Sequence, residues 1–204
     1  MRERGRTASS ERSTGRLPPG QHWTDGFPVL DLGIHPKVAT EEWRLEISGL
    51  VEKPVALTWP EMEGLAKVEV KADFHCVTTW SVKDCVWRGV PLVELVDMVK
   101  PMPDVEQALF IGYDGYTTNV RMEDVLDEQA LLATHLNGKP ITLEHGAPAR
   151  IILPKLYAWK GAKFVRRIGF LGEIERGYWE KRGYSETADP WTNDRFTHAE
   201  ERNW

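Results

Sequence analysis

The chain has 204 residues, of which 41% are hydrophobic, 10% aromatic and 28% charged; this is the length of one ordinary domain and excludes a fibrous or wholly disordered protein. Its 26 Lys and Arg stand against 31 Asp and Glu, a net charge of −5, so general attraction to nucleic acid or anionic lipid is not expected and any anion site must be local. No run of about 18 apolar residues is present to span a membrane, and two cysteines without a secretory apolar region argue against a disulfide framework and make the cytoplasm the default location.

Residues 1–20 are rich in Arg and Ser and read as a disordered, solvated tail, leaving 21–204 as a single domain. WRLEISGLV (43–51) reads as a strand. Thr58 and Glu61 are spaced as a capping box with Pro60 in the first turn, which predicts a short helix. KVEVKADF (67–74) alternates apolar and polar residues as a half-buried strand does, and it leads directly into His75-Cys76. Leu92, Leu95, Val96 and Val99 fall at helical spacing, ALFIGYD (108–114) is a strand-like run into a turn, and MEDVLD and ALLATHL (122–136) read as short helices. After the Asn137-Gly138 turn, RIILP (150–154) and KFVRRIGFL (163–171) are strand-like, and everything beyond Gly172 is polar, aromatic and irregular. Short strands and short helices without regular βαβ spacing predict a mixed α+β fold rather than a doubly wound sheet.

Several side chains carry chemistry. Cys76 follows a strand in FHCVTTWS, where a loop thiol serves as nucleophile or metal ligand; a buried structural cysteine is an equally good local reading. Zinc is disfavoured, because Cys76 and Cys85 are nine positions apart and no C-x-x-C or H-x-x-x-H pair occurs. HGAPAR (145–150) and YAWKGAK (157–163) bring His145, Arg150, Gly161 and Lys163 around two turns. A planar guanidinium, an ammonium and a glycine backbone are the tools for holding an oxyanion, although charges beside strands are common decoration. The hydroxyls of Thr117 and Thr118 in YDGYTT suit polar ring atoms of a cofactor or a plain turn, and Tyr184 beside Lys181 and Arg182 reads as a proton donor or as an aromatic anchor. Nine tryptophans, several in Pro/Gly-rich loops, suggest loops packed around something.

Taken in order, FHCVTTWS, DGYTT, HGAPAR, YAWKGAK and WEKRGYS resemble the molybdopterin-binding domain of the sulfite oxidase superfamily, over about residues 27–191. The resemblance is greatest to small bacterial sulfite-oxidase-like oxidoreductases and implies a mixed-sheet molybdopterin-binding fold with a molybdenum–molybdopterin cofactor. It further implies Cys76 as the protein thiolate on the metal, Tyr184 beside the metal, and a cofactor-contacting set of Asp31, His75, Thr117, Thr118, His145, Arg150, Gly161, Ala162 and Lys163.

Sulfite oxidases follow the ligand cysteine with an arginine-rich run and carry another arginine in the amino-terminal loop. Here Val77-Thr78-Thr79-Trp80 and Leu30 occupy those places, which makes sulfite doubtful and points to two-electron oxygen-atom transfer on a neutral or weakly charged small molecule such as a sulfoxide or N-oxide. No haem or iron–sulfur motif accompanies it, so a separate electron-transfer partner is expected. The alternatives are a noncatalytic molybdopterin-binding or carrier module, which needs the anion grip but no metal thiolate, and a cysteine hydrolase using Cys76 with His75 or His145.

Overall fold

The computed structural model describes residues 15–197. In chain order it contains β1 (His22–Trp23), β2 (Arg44–Gly49), β3 (Val55–Thr58), α1 (Trp59–Glu63), β4 (Val68–His75), β5 (Trp80–Pro91) and α2 (Leu92–Val99). These are followed by β6 (Gln107–Gly112), β7 (Thr117–Arg121), α3 (Met122–Val125), β8 (Leu131–Leu136), β9 (Lys139–Pro140), β10 (Arg150–Ile152) and β11 (Val165–Leu171). One sheet runs β1-β5-β8-β10, with β4 paired to β5 and β9 to β8; the other runs β3-β2-β11-β6-β7. The β1–β5 and β2–β11 pairs are parallel and the remaining pairs antiparallel. This is the expected α+β mixture, and among the described residues no helix is long and apolar enough to cross a membrane.

Local chemistry explains most elements. Thr58 caps α1: Glu61 N donates to its Oγ1 at 3.4 Å and Glu61 Oε2 accepts from Thr58 N at 2.8 Å, the reciprocal box the sequence predicts. In α2, Leu92, Leu95, Val96 and Val99 are the buried positions, one apolar stripe at helical period. These residues meet Leu45, Ile47, Phe110 and Ile168 of one sheet and Val90, Leu132 and Ile151 of the other in a shared core. The segment 131–136, expected to be a helix, is instead strand β8, between β5 and β10. Leu131, Leu132 and Ala133 are all buried, so this strand is covered on both faces and shows no alternation to distinguish it from a helix.

Of the residues read as a solvated tail, 1–14 lie outside the described residues. Arg16 is placed: its guanidinium meets Asp73 at 2.6 Å and Asp84 at 2.9 Å. Asp73 lies where β4 bulges against β5, between Ala72 and Phe74. A bulge bends its strand and re-aims the side chains beyond it, here those of Phe74, His75 and Cys76.

Candidate functional site

Where β4 ends, the chain turns through Cys76 to Trp80 into β5. Cys76 N donates to Trp80 O at 3.0 Å and Thr79 N to Cys76 O at 3.1 Å, and Thr79 takes a left-handed φ of 82°. The turn borders a cavity of about 330 Å³, within the size range of small-molecule and cofactor sites. Cys76, Val77, Thr78 and Trp80 line it on this side; Trp159, Trp179, Tyr184 and Tyr116 line another; Phe27, Leu30 and Asp31 come from the amino-terminal loop. The thiol of Cys76 is 6% exposed. Burial pushes it upward, opposed by hydrogen bonds from Thr78, whose Oγ1 lies 3.2 Å from Sγ, and by the charge of Arg195.

The cationic side chains in the lining form one connected group. Arg150 is 2% exposed, spans Phe74 and Trp87 at 5.5 and 5.6 Å, and donates from Nη1 to His145 O at 3.0 Å and from Nη2 to Gly161 O at 3.3 Å. Its Nε has no partner, and burial pulls its pKa down to about 10. Lys163 donates to Glu144 O at 2.6 Å and lies 3.4 Å from Asp31 Oδ2. Burial and then the charge of Arg150 lower it, while Asp31 opposes. Asp31 also meets His35 at 2.7 Å, and these partners hold its carboxyl below the usual range against the upward pull of burial. His145 is lowered by burial, Arg150 and Lys163, which favours its neutral form, and its ring lies 4.6 Å from Phe27. A Cβ on Gly161 would sit 2.6 Å from Ile151 O, and one on Gly146, at φ 106°, 2.9 Å from Lys163 Cβ; only glycine lets these two turns approach so closely.

Thus Cys76, Tyr184, Asp31, His145, Arg150, Gly161 and Lys163 converge on one cavity, as the sequence led us to expect. His75, Thr117, Thr118 and Ala162 are not among its lining residues. Strand alternation accounts for the first: Phe74 and Cys76 face the cavity, so His75 faces the other way, with Nδ1 2.8 Å from Ser81 Oγ. Thr118 is buried and donates to Glu180 Oε1 at 2.8 Å, Thr117 O accepts from Tyr178 N at 2.8 Å, and Ala162 is fully buried with its carbonyl accepting from Ile151 N at 2.9 Å. The sequence reading missed Phe27, Phe74, Asp114, Tyr116 and Trp179 as lining residues. For Phe27, Tyr116 and Trp179 the signal was the excess of loop aromatics, which carries no address; Phe74 lies in β4 and Asp114 is not aromatic, and neither carried a signal of its own.

The burial of His75 has a pH consequence. Desolvation drops its pKa from 6.5 to about 4, with Asp73 opposing. The unfolded chain therefore binds the proton first, so stability is lost as pH falls from about 6.5 towards 4, by up to about 3 kcal/mol. Urea unfolding of the cofactor-free chain at pH 7 and pH 5 will show this loss, and His75→Gln will remove most of it; equal losses in both proteins would exclude His75 as the source.

The family described as oxidoreductase molybdopterin binding domain matches residues 32–179. The chain belongs to this family. An uncharacterized oxidoreductase of Bacillus subtilis, YuiH, is 41% identical over 194 residues, covering 95% of this chain and 98% of YuiH. The protein-methionine-sulfoxide reductase catalytic subunit MsrP of Campylobacter jejuni is 31% identical over 165 residues, covering 72% of this chain and 55% of MsrP; the chain thus spans about half the length of that relative. The sulfane dehydrogenase SoxCD of Paracoccus pantotrophus shares the fold, with a TM-score of 0.66 at 24% identity over 73% of this chain and 42% of that one.

The chain is therefore an oxidoreductase of the sulfite oxidase superfamily with a molybdenum–molybdopterin cofactor. Its residues fit that group. A soft sulfur, that of Cys76, borders the cavity for the metal, the glycines at 146 and 161 keep the backbone close, and the unpartnered Nε of buried Arg150 is a donor left over for an anionic or polar ring ligand.

Proposed function

We propose that the chain reduces a neutral sulfoxide or a related N-oxide, taking electrons one at a time from a separate electron-carrier protein. The balance is R2S=O + 2H⁺ + 2e⁻ → R2S + H2O. The observation that carries this reading is the segregation of charge: the two cations of the lining stand together on one side, Arg150 bonded to His145 O and Gly161 O and Lys163 to Glu144 O and Asp31, whereas the Cys76 side of the lining is Val77, Thr78 and Trp80. An anionic substrate finds no cation among those lining residues, because Arg195, which donates to Val77 O, is not part of the lining, while a sulfoxide presents a polarised oxygen and apolar arms to a wall of Trp80, Trp159 and Tyr184. The sulfoxide chemistry in the name of MsrP supports the same direction.

When bound, the cofactor supplies the two-electron oxygen-transfer chemistry. The chain's residues hold and shape the site. Cys76 presents the thiolate. Arg150, with Lys163 and His145, would hold the anionic part of the cofactor through charge-assisted hydrogen bonds. Tyr184, with its ring 5.3 Å from Trp159 and 5.0 Å from Trp179, carries the phenol that orients substrate oxygen and hands over a proton. The same reading keeps the chain in a reducing cytoplasm, where its free thiols Cys76 and Cys85 remain reduced.

The test is a comparison on one metal-loaded preparation: sulfoxide reduction with a one-electron viologen donor against sulfite oxidation with ferricyanide. The expected result is a kcat/KM at least about 100-fold higher for the sulfoxide, a difference of about 2.7 kcal/mol. Rapid sulfite oxidation at low substrate concentration would overturn the reading.

A further inference from the structure

Two side chains that reach the Cys76 turn come from outside the 32–179 span matched by the family. Gln21 is 3% exposed, and its Nε2 donates to Cys76 O at 3.0 Å. Its Oε1 accepts from Ser81 Oγ at 3.1 Å, which in turn lies 2.8 Å from His75 Nδ1. From the other end of the chain, Arg195 donates from Nη1 to Val77 O. That guanidinium is fixed in turn: its Nε donates to Asn193 Oδ1 at 2.8 Å and it stands over the Tyr157 ring at 5.0 Å.

The turn they grip needs holding. Thr79, a β-branched residue, sits at a φ of 82°, a left-handed conformation that persists only where its surroundings enforce it. The segment carrying Arg195 also carries the cavity's phenol: Tyr184 bridges to Phe196, Ser185 N donates to Arg195 O at 3.1 Å and Thr197 N to Gly183 O at 3.0 Å. A single side chain therefore ties the segment bearing Tyr184 to the turn bearing Cys76.

We propose that Gln21 and Arg195 are positioning residues for the Cys76 thiolate, clasping its turn from the two ends of the chain, and that the Arg195 charge beside the turn raises the reduction potential of the metal. The physical reason is that partners behind a ligand fix its direction, and that positive charge near a thiolate favours the centre's more reduced, more negative state. The functional unit then extends beyond the family span at both ends. The proposal rests on Cys76 being the metal's protein ligand, and the two fail differently: an unchanged thiolate-to-metal absorption band and full turnover in Cys76→Ser overturn the ligand assignment, whereas hydrogen exchange and reduction potential in the Gln21 and Arg195 variants concern the clasp with the ligand intact.

The test uses the loaded full chain with Gln21→Leu, Arg195→Gln and Arg195→Lys. Hydrogen exchange of the peptide 75–80 is expected to quicken at least about tenfold in Gln21→Leu and Arg195→Gln, with exchange elsewhere and the unfolding temperature near the parent's, the mark of a local opening. In Arg195→Gln the metal's reduction equilibrium shifts about tenfold towards the oxidised form, which is about 59 mV lower for a one-electron couple; Arg195→Lys, which keeps the charge, stays near the parent. Parent-like exchange and potential in Arg195→Gln would overturn the proposal, and so would exchange that rises uniformly along the chain. If a variant loses its metal, cofactor-free parent and variant are compared by the same exchange measurement, where a tenfold local increase upholds the clasp and equality overturns it.

Discussion

Cys76→Ser protein is expected to fold, with an unfolding temperature within a few degrees of the parent, and to lose roughly a thousandfold or more of its turnover. The side chain is small and 6% exposed, and the serine hydroxyl retains a partner in Thr78 Oγ1, which lies 3.2 Å from the present sulfur. Exchanging one sulfur for oxygen at such a site costs about 1 kcal/mol, which is only about 2–4 °C in a domain of this length. The chemical loss is of another order. An alcohol near the turn is neither a thiolate nor a soft ligand, so the metal's geometry and electron density both change. Losing a group at the reacting centre commonly removes several powers of ten. Three readings separate the outcomes: thermal unfolding, molybdenum per chain and the thiolate-to-metal absorption band. Full turnover with the band intact would place the protein ligand elsewhere.

How much of this was legible in the sequence divides along a physical line. Information carried by neighbours in the chain came through. The capping box at Thr58 and Glu61, the apolar stripe of α2 and the strand that leads to Cys76 are local patterns, and the structure contains each of them. Information carried by pairing across the fold did not. Leu131 to Leu136 reads as helix because Leu and Ala are good helix formers, and only the neighbouring strands β5 and β10 make it a strand. The twelve-residue strand β5 was not anticipated at all; its hairpin with β4 contains a bulge and left-handed Asp84, features that break simple alternation.

The cavity obeys the same rule. Motif residues on the two glycine turns, His145, Arg150, Gly161 and Lys163, converge as expected because the turns themselves are local. His75 and Thr118 were placed with the cofactor because they stand within the segments FHCVTTWS and DGYTT, yet the period of two in a strand sends alternate side chains to opposite faces. His75 ends against Ser81 and Thr118 against Glu180. Arg195 is the converse case. A guanidinium beside the ligand's turn was absent from the positions immediately after Cys76, and it arrives instead from a segment 118 residues away from Val77.

The second large effect concerns a buried pair outside the lining, next in the chain to the lining residues Trp159, Gly161 and Trp179. Lys160 and Glu180 form an ion pair at 2.8 Å with both side chains fully buried. Thr118 Oγ1 at 2.8 Å and Trp159 Nε1 at 3.1 Å also donate to the same Glu180 Oε1, and Lys160 donates to Asn119 O at 2.8 Å. Glu180→Gln keeps the shape and an acceptor oxygen but removes the charge, leaving a buried ammonium without its counter-ion. Removing one partner of a buried pair costs about 3–5 kcal/mol, on the order of 6–20 °C in unfolding temperature here. The double variant Lys160→Met, Glu180→Gln is expected to recover most of that loss, because a methionine of similar length refills the space and no charge remains to desolvate. Burial already pulls the Lys160 pKa down against the opposing pull of Glu180, and Glu180→Gln removes the opposition. In that variant the unfolded chain binds the lysine proton more readily than the folded one, so stability rises with pH and the deficit shrinks as pH approaches the ordinary lysine value of about 10.4. Denaturant unfolding of parent, single and double variants at pH 7 and pH 9.5 measures all three effects. A single variant as stable as the parent at pH 7, or a deficit that does not shrink at pH 9.5, would mean that the Lys160 charge is not what the pair exists to balance.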